Sequence, residues 1–238
     1  MGLARVRRLG GAPRAADHVR QLVRPLRRAH SLIPMGDLNG PPFFDVVFAQ
    51  RAHREFADTP IDDAVVETIL RAGTHAPSAE NKQPWEFVVV RDPATHAAIH
   101  DLTEAAWNAS GRAFSETRLP PELLKEVDQG IAGGGYRTAP VLVVVCADFT
   151  RGLPMTAGSS IFPCVQNMLL AAGALGLGSA LTTLGAVAPG PLAELLGLPD
   201  HVVPQAIVPL GYPARRLGPP RREAVAAHTH RDRFASPW

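Results

Sequence analysis

The run Val141-Leu-Val-Val-Val-Cys-Ala147 constrains the fold more than any other part of this chain. It is apolar without alternation, so a strand built from it must be buried on both faces. Helices must then cover both sides of the sheet that contains it. Further strand candidates fall at residues 86–91, 179–183 and 202–210, separated by helical stretches. That alternation argues an α/β or α+β sheet sheathed in helices.

Residues 43–51 are apolar on one side (Phe43, Phe44, Val47, Phe48) and predict a short helix. A second helix is expected over 62–72. Asp62 and Asp63 suit its first turn, Val65, Val66, Ile69 and Leu70 form its buried stripe, and Gly73 is expected to end it. Residues 159–176 are apolar nearly all round, which demands burial on more than one side and suggests packing between subunits. The region 94–136 is least regular. Its Leu119-Pro-Pro121 break and Gly133-Gly-Gly135 predict two helices and a mobile lid, with an ordinary surface helical hairpin as the alternative.

With 46% apolar and 19% charged residues, the 238-residue chain reads as globular rather than disordered. Its net charge of +2 is uneven: residues 1–36 hold eight arginines against Asp17 alone, leaving the remainder at −5. The basic character therefore belongs to an Arg-rich, flexible extension over residues 1–40, and gives no reason to expect nucleic-acid binding by the body. That leader has the composition of a transit peptide. Met35 offers an alternative start, and we favour the second reading. No stretch reaches the ~20 apolar residues a membrane helix needs. Cys146 and Cys164 lie in apolar surroundings without a Cys-x-x-Cys spacing, so both are expected as reduced packing residues in a cytoplasmic protein, with no metal site.

Two polar clusters carry the chemistry. Arg51-Ala-His-Arg54-Glu-Phe56 precedes the second helix, and Ala76-Pro-Ser-Ala-Glu-Asn-Lys-Gln-Pro-Trp85 follows it. Two prolines exclude the latter from a helix interior. A braced loop holding Ser78, Asn81 and Gln83 can offer several hydrogen-bonding groups to one planar ligand. The arginines supply charge for a phosphate or an anionic ring.

Together these clusters resemble the nitroreductase-like flavoprotein family, whose pattern is Arg-Ser-x-Arg-x-Phe followed by Ala-Pro-Ser-x-x-Asn-x-Gln-Pro-Trp. The second motif agrees at every defined position, and the first departs once, with Ala52 in place of Ser. A third block agrees near the C-terminus: Gly176-Leu-Gly-Ser-Ala-Leu-Thr-Thr-Leu-Gly185, then Leu195-Leu-Gly-Leu-Pro199 and Pro209-Leu-Gly-Tyr-Pro213. The resemblance implies an α+β fold over residues 41–238: a three-layer α/β/α sandwich with a mixed, mostly antiparallel sheet and a lid at 94–137. It also implies a domain-exchanged homodimer with FMN at the interface.

By that resemblance the cofactor-binding residues are Arg51, Ala52, His53, Arg54, Pro77, Ser78, Asn81, Gln83, Thr182, Thr183, Leu184, Gly185 and Arg221. Arg51 and Arg221 would meet the phosphate, Arg54 the N1/O2 edge of the ring, and Ser78 and Asn81 the pyrimidine edge and ribityl chain. Pro77 would pack on the ring. A backbone N–H or hydroxyl of the Thr182–Gly185 turn would approach flavin N5. His53 carries no chemical role of its own, and Trp85 reads as core. No protein nucleophile or general base is required, because the flavin is the reactive group. The implied activity is ping-pong reduction of nitroaromatics, quinones or similar small-molecule acceptors by NADH or NADPH. The alternative is a flavin-storing protein whose lid fills the substrate space.

Three other readings are weaker. Gly173-Ala-Leu-Gly-Leu-Gly178 has neither the spacing nor the strand-to-helix context of a dinucleotide fingerprint. A deiodinase lid would need Glu, Tyr and Lys, and Asn108 stands where Tyr is expected. The branch that fragments flavin carries Asp at the position of Ala52.

Overall fold

A computed structural model of the chain describes residues 41–132, 135–183 and 189–238. The strand 141–147 that anchors the sequence argument is β2 (Val141–Asp148), and every one of its residues is buried. It pairs antiparallel with β1 (Trp85–Val90) on one side and β4 (Val202–Gly211) on the other, and β3 (Gly178–Ser179) completes the order β1-β2-β4-β3.

Successive β2 side chains enter two different cores, as the period of two requires. Val141, Val143, Val145 and Ala147 meet α2 (Asp63–Thr74) and α7 (Pro154–Ala174) through Ile69, Ile161, Val165 and Met168. Leu142, Val144 and Cys146 lie in a second core. There they meet Ile99 of α3 (Pro93–Ala106), Tyr136 of α6 (Gly135–Thr138) and Leu192 of α8 (Pro189–Leu196). Both faces are dry, which explains the unbroken apolar run. A fully buried side chain such as Ile69 or Ile161 contributes about 1.5–3 kcal/mol.

The remaining helices are α1 (Phe43–Ala49), α4 (Arg112–Glu116) and α5 (Pro121–Ala132). A five-residue π turn, Trp107–Gly111, joins α3 to α4. Region 94–136 is therefore more helical than expected. Its first helix, with His96, Ile99, His100 and Thr103 buried, belongs to the sandwich itself. Gly133 and Gly134 lie outside the described residues.

Two further expectations are corrected. Gly73 does not end α2, which runs to Thr74. A Cβ at Gly73 would meet Met168 Cγ at 2.8 Å, so glycine there permits the close approach of α2 to α7. The strand expected over 179–183 shrinks to Gly178–Ser179 plus an isolated bridge from Thr182 to Ile207. The register Ser179↔Leu210 sets Ala180 opposite Pro209, which has no N–H to give. The ladder breaks there and resumes at Thr182, whose N–H and C=O both bond Ile207 (3.1 and 2.8 Å).

On α7 the buried residues form one broad face, while Phe162 stays 38% exposed. On α1 nothing is buried, and Phe43, Phe44 and Phe48 are each about two-thirds exposed and in mutual ring contact. Among the described residues no helix is long and apolar enough to cross a membrane.

Candidate active site

After α1 the chain becomes extended and is stitched to the sheet edge. Ala52 forms a parallel bridge with Ser179, and the His53 N–H donates to the Ser179 carbonyl at 2.9 Å. This parallel contact makes an otherwise antiparallel sheet mixed. The His53 side chain packs over Gly178. Burial, then Arg51 and Arg215, hold its pKa below the ordinary histidine value, so it is a neutral packing group.

Arg51 donates to the carbonyls of Gly218 (2.6 Å) and Pro219 (3.3 Å). One arm of its guanidinium thus tethers the C-terminal segment that carries Arg221, and the other N–H groups remain for a ligand. Arg221 and Arg222 are both exposed, and Arg222 bonds the Arg221 carbonyl. Arg54 has different neighbours. Its stem lies against Gly130 of α5, where an added Cβ would sit 2.7 Å from Arg54 Cδ. Ion pairs among the described residues engage Arg91, Arg112, Arg137, Arg151 and Arg215, but neither Arg51 nor Arg54. Two guanidinium groups three residues apart without a carboxylate partner suit an anion.

Arg54 opens onto a cavity of about 860 Å³. Thr182, Thr183 and Tyr136 also line it, and Trp107, Phe114, Val127 and Ile131 supply apolar wall. The Tyr136 hydroxyl donates to Thr182 Oγ1 at 3.0 Å. Burial pushes the Tyr136 pKa up to about 12, against weaker opposing effects of Thr182, Thr103 and Arg54. Trp107 Nε1 donates to Asp128 Oδ1 at 2.9 Å, and Arg112 pairs with the other oxygen of Asp128 at 3.3 Å, which binds the π turn to α5. Because the Thr182 N–H is spent on Ile207, its hydroxyl is the donor that Thr182 can offer a ligand. Leu184 and Gly185 lie outside the described residues.

The Pro77–Gln83 loop is strained. Glu80, Asn81 and Gln83 all have φ between 50° and 55°, a left-handed conformation costing roughly 1–2 kcal/mol per residue. The structure holds it from several sides. The Gln83 N–H bonds Ser78 Oγ (3.0 Å), the Ala79 N–H bonds Ser160 Oγ (3.2 Å), and Arg151 Nη1 bonds the Gln83 carbonyl (3.3 Å). Arg151 is fixed in turn by Glu86 and by Asp148 Oδ2 at 2.8 Å. Thr150 first and Arg151 second hold the Asp148 carboxyl at about 2. This bracing contrasts with the exposed Asn81, Gln83 and Pro77 side chains, which face outward.

The two motifs do not meet within one chain. Ser179, which anchors Ala52 and His53, pairs with Leu210, and Leu210 pairs with Val141; Trp85, at the end of the loop, pairs with Ala147. Six residues of β2 separate those levels, or about 20 Å at ~3.4 Å per residue. Helix α7 gives the same answer. Ser160 holds the loop near its start, and the fourteen residues from there to its end at Ala174 span about 21 Å at 1.5 Å each. Arg51, Ala52 and Arg54 therefore lie toward one end of the sheet and Pro77, Ser78, Asn81 and Gln83 at the other, with Thr182 midway, since its partner Ile207 pairs with Val144.

The nitroreductase family profile matches residues 47–212. The chain belongs to the nitroreductase family. Among relatives, an NADH dehydrogenase of Thermus thermophilus is 33% identical over 187 residues, covering 73% of this chain and 87% of that protein. A 5,6-dimethylbenzimidazole synthase of Rhodospirillum rubrum is 31% identical over 210 residues, covering 82% and 95%. Iodotyrosine deiodinases match as well. A solved nitroreductase from Desulfovibrio desulfuricans, in complex with FMN, superimposes with a TM-score of 0.63 at 27% identity, covering 82% of this chain and 98% of that one.

Sequence reasoning missed Tyr136, Trp107 and Gly130. Each gains its role from a partner 21 to 76 positions away, such as Asp128 for Trp107 or Arg54 for Gly130. No local pattern marks such pairs.

Proposed function

We propose that this chain is an FMN-dependent oxidoreductase that accepts hydride from NADH or NADPH and passes electrons to nitroaromatic, quinone or similar acceptors by ping-pong kinetics. The observation that carries the reading is Arg54, a guanidinium with no carboxylate partner among the described residues, on the wall of the cavity that Thr182 also lines. FMN, when bound, supplies the hydride chemistry. The donor set fits it: Arg51 and Arg221 for the phosphate, Arg54 for a ring edge that becomes anionic on reduction, and the Thr182 hydroxyl for the reacting face.

The 20 Å separation makes the site a shared one. The Arg51–Arg54 strand and Thr182 of one copy would close on the Pro77–Gln83 loop of a second, in a homodimer. The exposed Phe43, Phe44 and Phe48 of α1 are apolar surface suited to such an interface. Trp107 and Phe114 offer apolar wall to a cavity of about 860 Å³, which favours turnover over flavin storage. Ala52 in place of Asp argues against flavin fragmentation, and Asn108 in the π turn against an iodotyrosine-gripping lid.

Absorbance of the purified protein, extraction of its chromophore, and NADH or NADPH oxidation with menadione or a nitrofuran test the reading. We expect FMN and turnover with at least one donor. Colourless protein unable to take up micromolar FMN overturns it, and FMN-loaded protein without turnover would establish storage.

A further inference from the structure

The side chains that line the cavity, carry a hydrogen-bonding group and are more than nine-tenths buried are His100, Thr103, Trp107 and Tyr136. Three of them have their bonds. Thr103 donates to the Ile99 carbonyl at 2.9 Å, Trp107 to Asp128 at 2.9 Å and Tyr136 to Thr182 at 3.0 Å. His100, 5% exposed, has no hydrogen-bond partner among the described residues. Its Nε2 stands 3.9 Å from Glu104 Oε2, beyond hydrogen-bond reach. No side-chain nitrogen or oxygen among the described residues is both sealed from solvent and unbonded. The ring nitrogens of His100 are therefore open, and the space that His100 lines is the cavity.

Asp101 beside it is held by Arg137, and that guanidinium disfavours a metal cation on the His100, Asp101 and Glu104 group. Burial first and Arg137 second hold the His100 pKa below the ordinary histidine value, against Glu104 and Asp101. The ring is thus neutral near pH 7 and offers one N–H and one lone pair. Among the described residues no carboxylate lines the cavity.

The helix sets the rest of the layout. His100 and Trp107 are seven residues apart, about two turns, so they share one face of α3 and its continuation with about 10 Å between them. The wall runs from an unfilled hydrogen-bonding group at His100 to apolar surface at Trp107 and Phe114. A neutral fused-ring aromatic with an oxygen at one end matches that polarity. Quinones and nitroaromatics carry such oxygens, whose lone pairs call on the imidazole N–H. We propose that His100 is a specificity-determining residue, whose ring N–H donates to a carbonyl or nitro oxygen of a neutral aromatic electron acceptor seated against Trp107 and Phe114. This rests on the reading of the cavity as the acceptor site of an FMN-dependent oxidoreductase.

The test compares FMN-loaded wild-type protein with His100→Leu, His100→Phe, His100→Gln and His100→Asn. The first probes are α-tetralone and tetralin, neutral bicyclic molecules that differ by one carbonyl oxygen and take no electrons from the flavin. Their dissociation constants are read from the flavin absorbance. We expect His100→Leu and His100→Phe to weaken α-tetralone about two- to tenfold relative to tetralin, the worth of one neutral hydrogen bond. His100→Gln or His100→Asn, whose amide N–H can replace one or other ring N–H, should restore most of that ratio. The second measurement is anaerobic reoxidation of photochemically reduced flavin by menadione and by ferricyanide. The menadione-to-ferricyanide ratio of rate constants should fall by a similar factor in His100→Leu and His100→Phe. If His100→Leu does not fold, His100→Phe, which keeps a ring in the space, decides alone. An unchanged ketone-to-hydrocarbon ratio, or a changed one with an unchanged menadione ratio, would overturn the assignment and leave the flavin reading standing. A loss that neither His100→Gln nor His100→Asn reduces would trace the effect to packing and overturn it too. Wild-type protein that takes up no FMN would overturn the flavin reading, and the assignment with it.

Discussion

Gly130→Ala separates the stability of α5 from the placement of Arg54. The new Cβ would lie 2.7 Å from Arg54 Cδ, against an ordinary carbon contact of about 3.5–4.0 Å. One of the two must yield by about an ångström. Alanine raises helix propensity by up to about 1 kcal/mol over glycine, so the helix favours the substitution and the arginine is displaced. Moving a unit charge from about 4 to 5 Å from its partner at an effective dielectric constant near 20 forfeits roughly 0.8 kcal/mol. At 30 mV per 1.4 kcal/mol this is a two-electron potential lower by about 20 mV. The apo protein should meanwhile melt up to ~2–4 °C higher. Calorimetry of the apo form and a dye-coupled redox titration of the FMN-loaded form give both numbers. A raised melting temperature with an unchanged potential would show that the guanidinium does not depend on its stem at Gly130. A lowered melting temperature with an unchanged potential would show that α5 moves instead. Either result refutes the reasoning.

Arg54→Gln should leave the fold intact and lower the flavin potential by about 30–65 mV, the equivalent of a charge-assisted bond of ~1.5–3 kcal/mol; an unchanged potential would remove Arg54 from the ring edge. Ala52→Ser should tighten FMN binding about tenfold by adding one hydroxyl donor to the phosphate, and an equal or weaker dissociation constant counts against that placement. Arg54→Gln and Asn81→Ala subunits mixed together should recover one intact site per mixed dimer. A redox titration of flavin bound to the mixture reads this as a fraction of sites at the wild-type potential, and no recovery would contradict a site shared between copies. The Asp148 carboxyl is depressed to about 2 from an ordinary value near 3.9, so its stabilisation is full above the ordinary value and is lost as pH falls toward the lower one. Asp148→Asn should therefore be less stable at neutral pH and show a flatter acid limb in stepped-pH melts, whereas parallel limbs would refute the clamp.

The layers were legible because β2 left no ambiguity. An apolar strand without alternation must be covered twice, and each of its side chains enters one of two cores. The Ser78–Gln83 loop was legible for a related reason, since its prolines fixed the chain and its polar residues had no core to enter. The length of β3 was not, because the break depends on Pro209, a residue of another strand that reads locally as harmless. Nor was the end of α2 legible, where Gly73 resembles a terminator until Met168 arrives from α7. The sequence joined both polar motifs in one site. Only the register of β1 and β4 on β2 reveals that a single copy holds them about 20 Å apart.

In the shared site proposed above, that gap would make the prosthetic group an adhesive. A ligand gripped by both copies binds the pair and not the separated subunits, so mass action couples occupancy to association. At a free flavin level one hundred times its dissociation constant, such coupling strengthens the assembly by about 2.7 kcal/mol per site. Dilution and cofactor stripping should then reinforce each other, and subunit exchange should be fastest in protein freed of its chromophore.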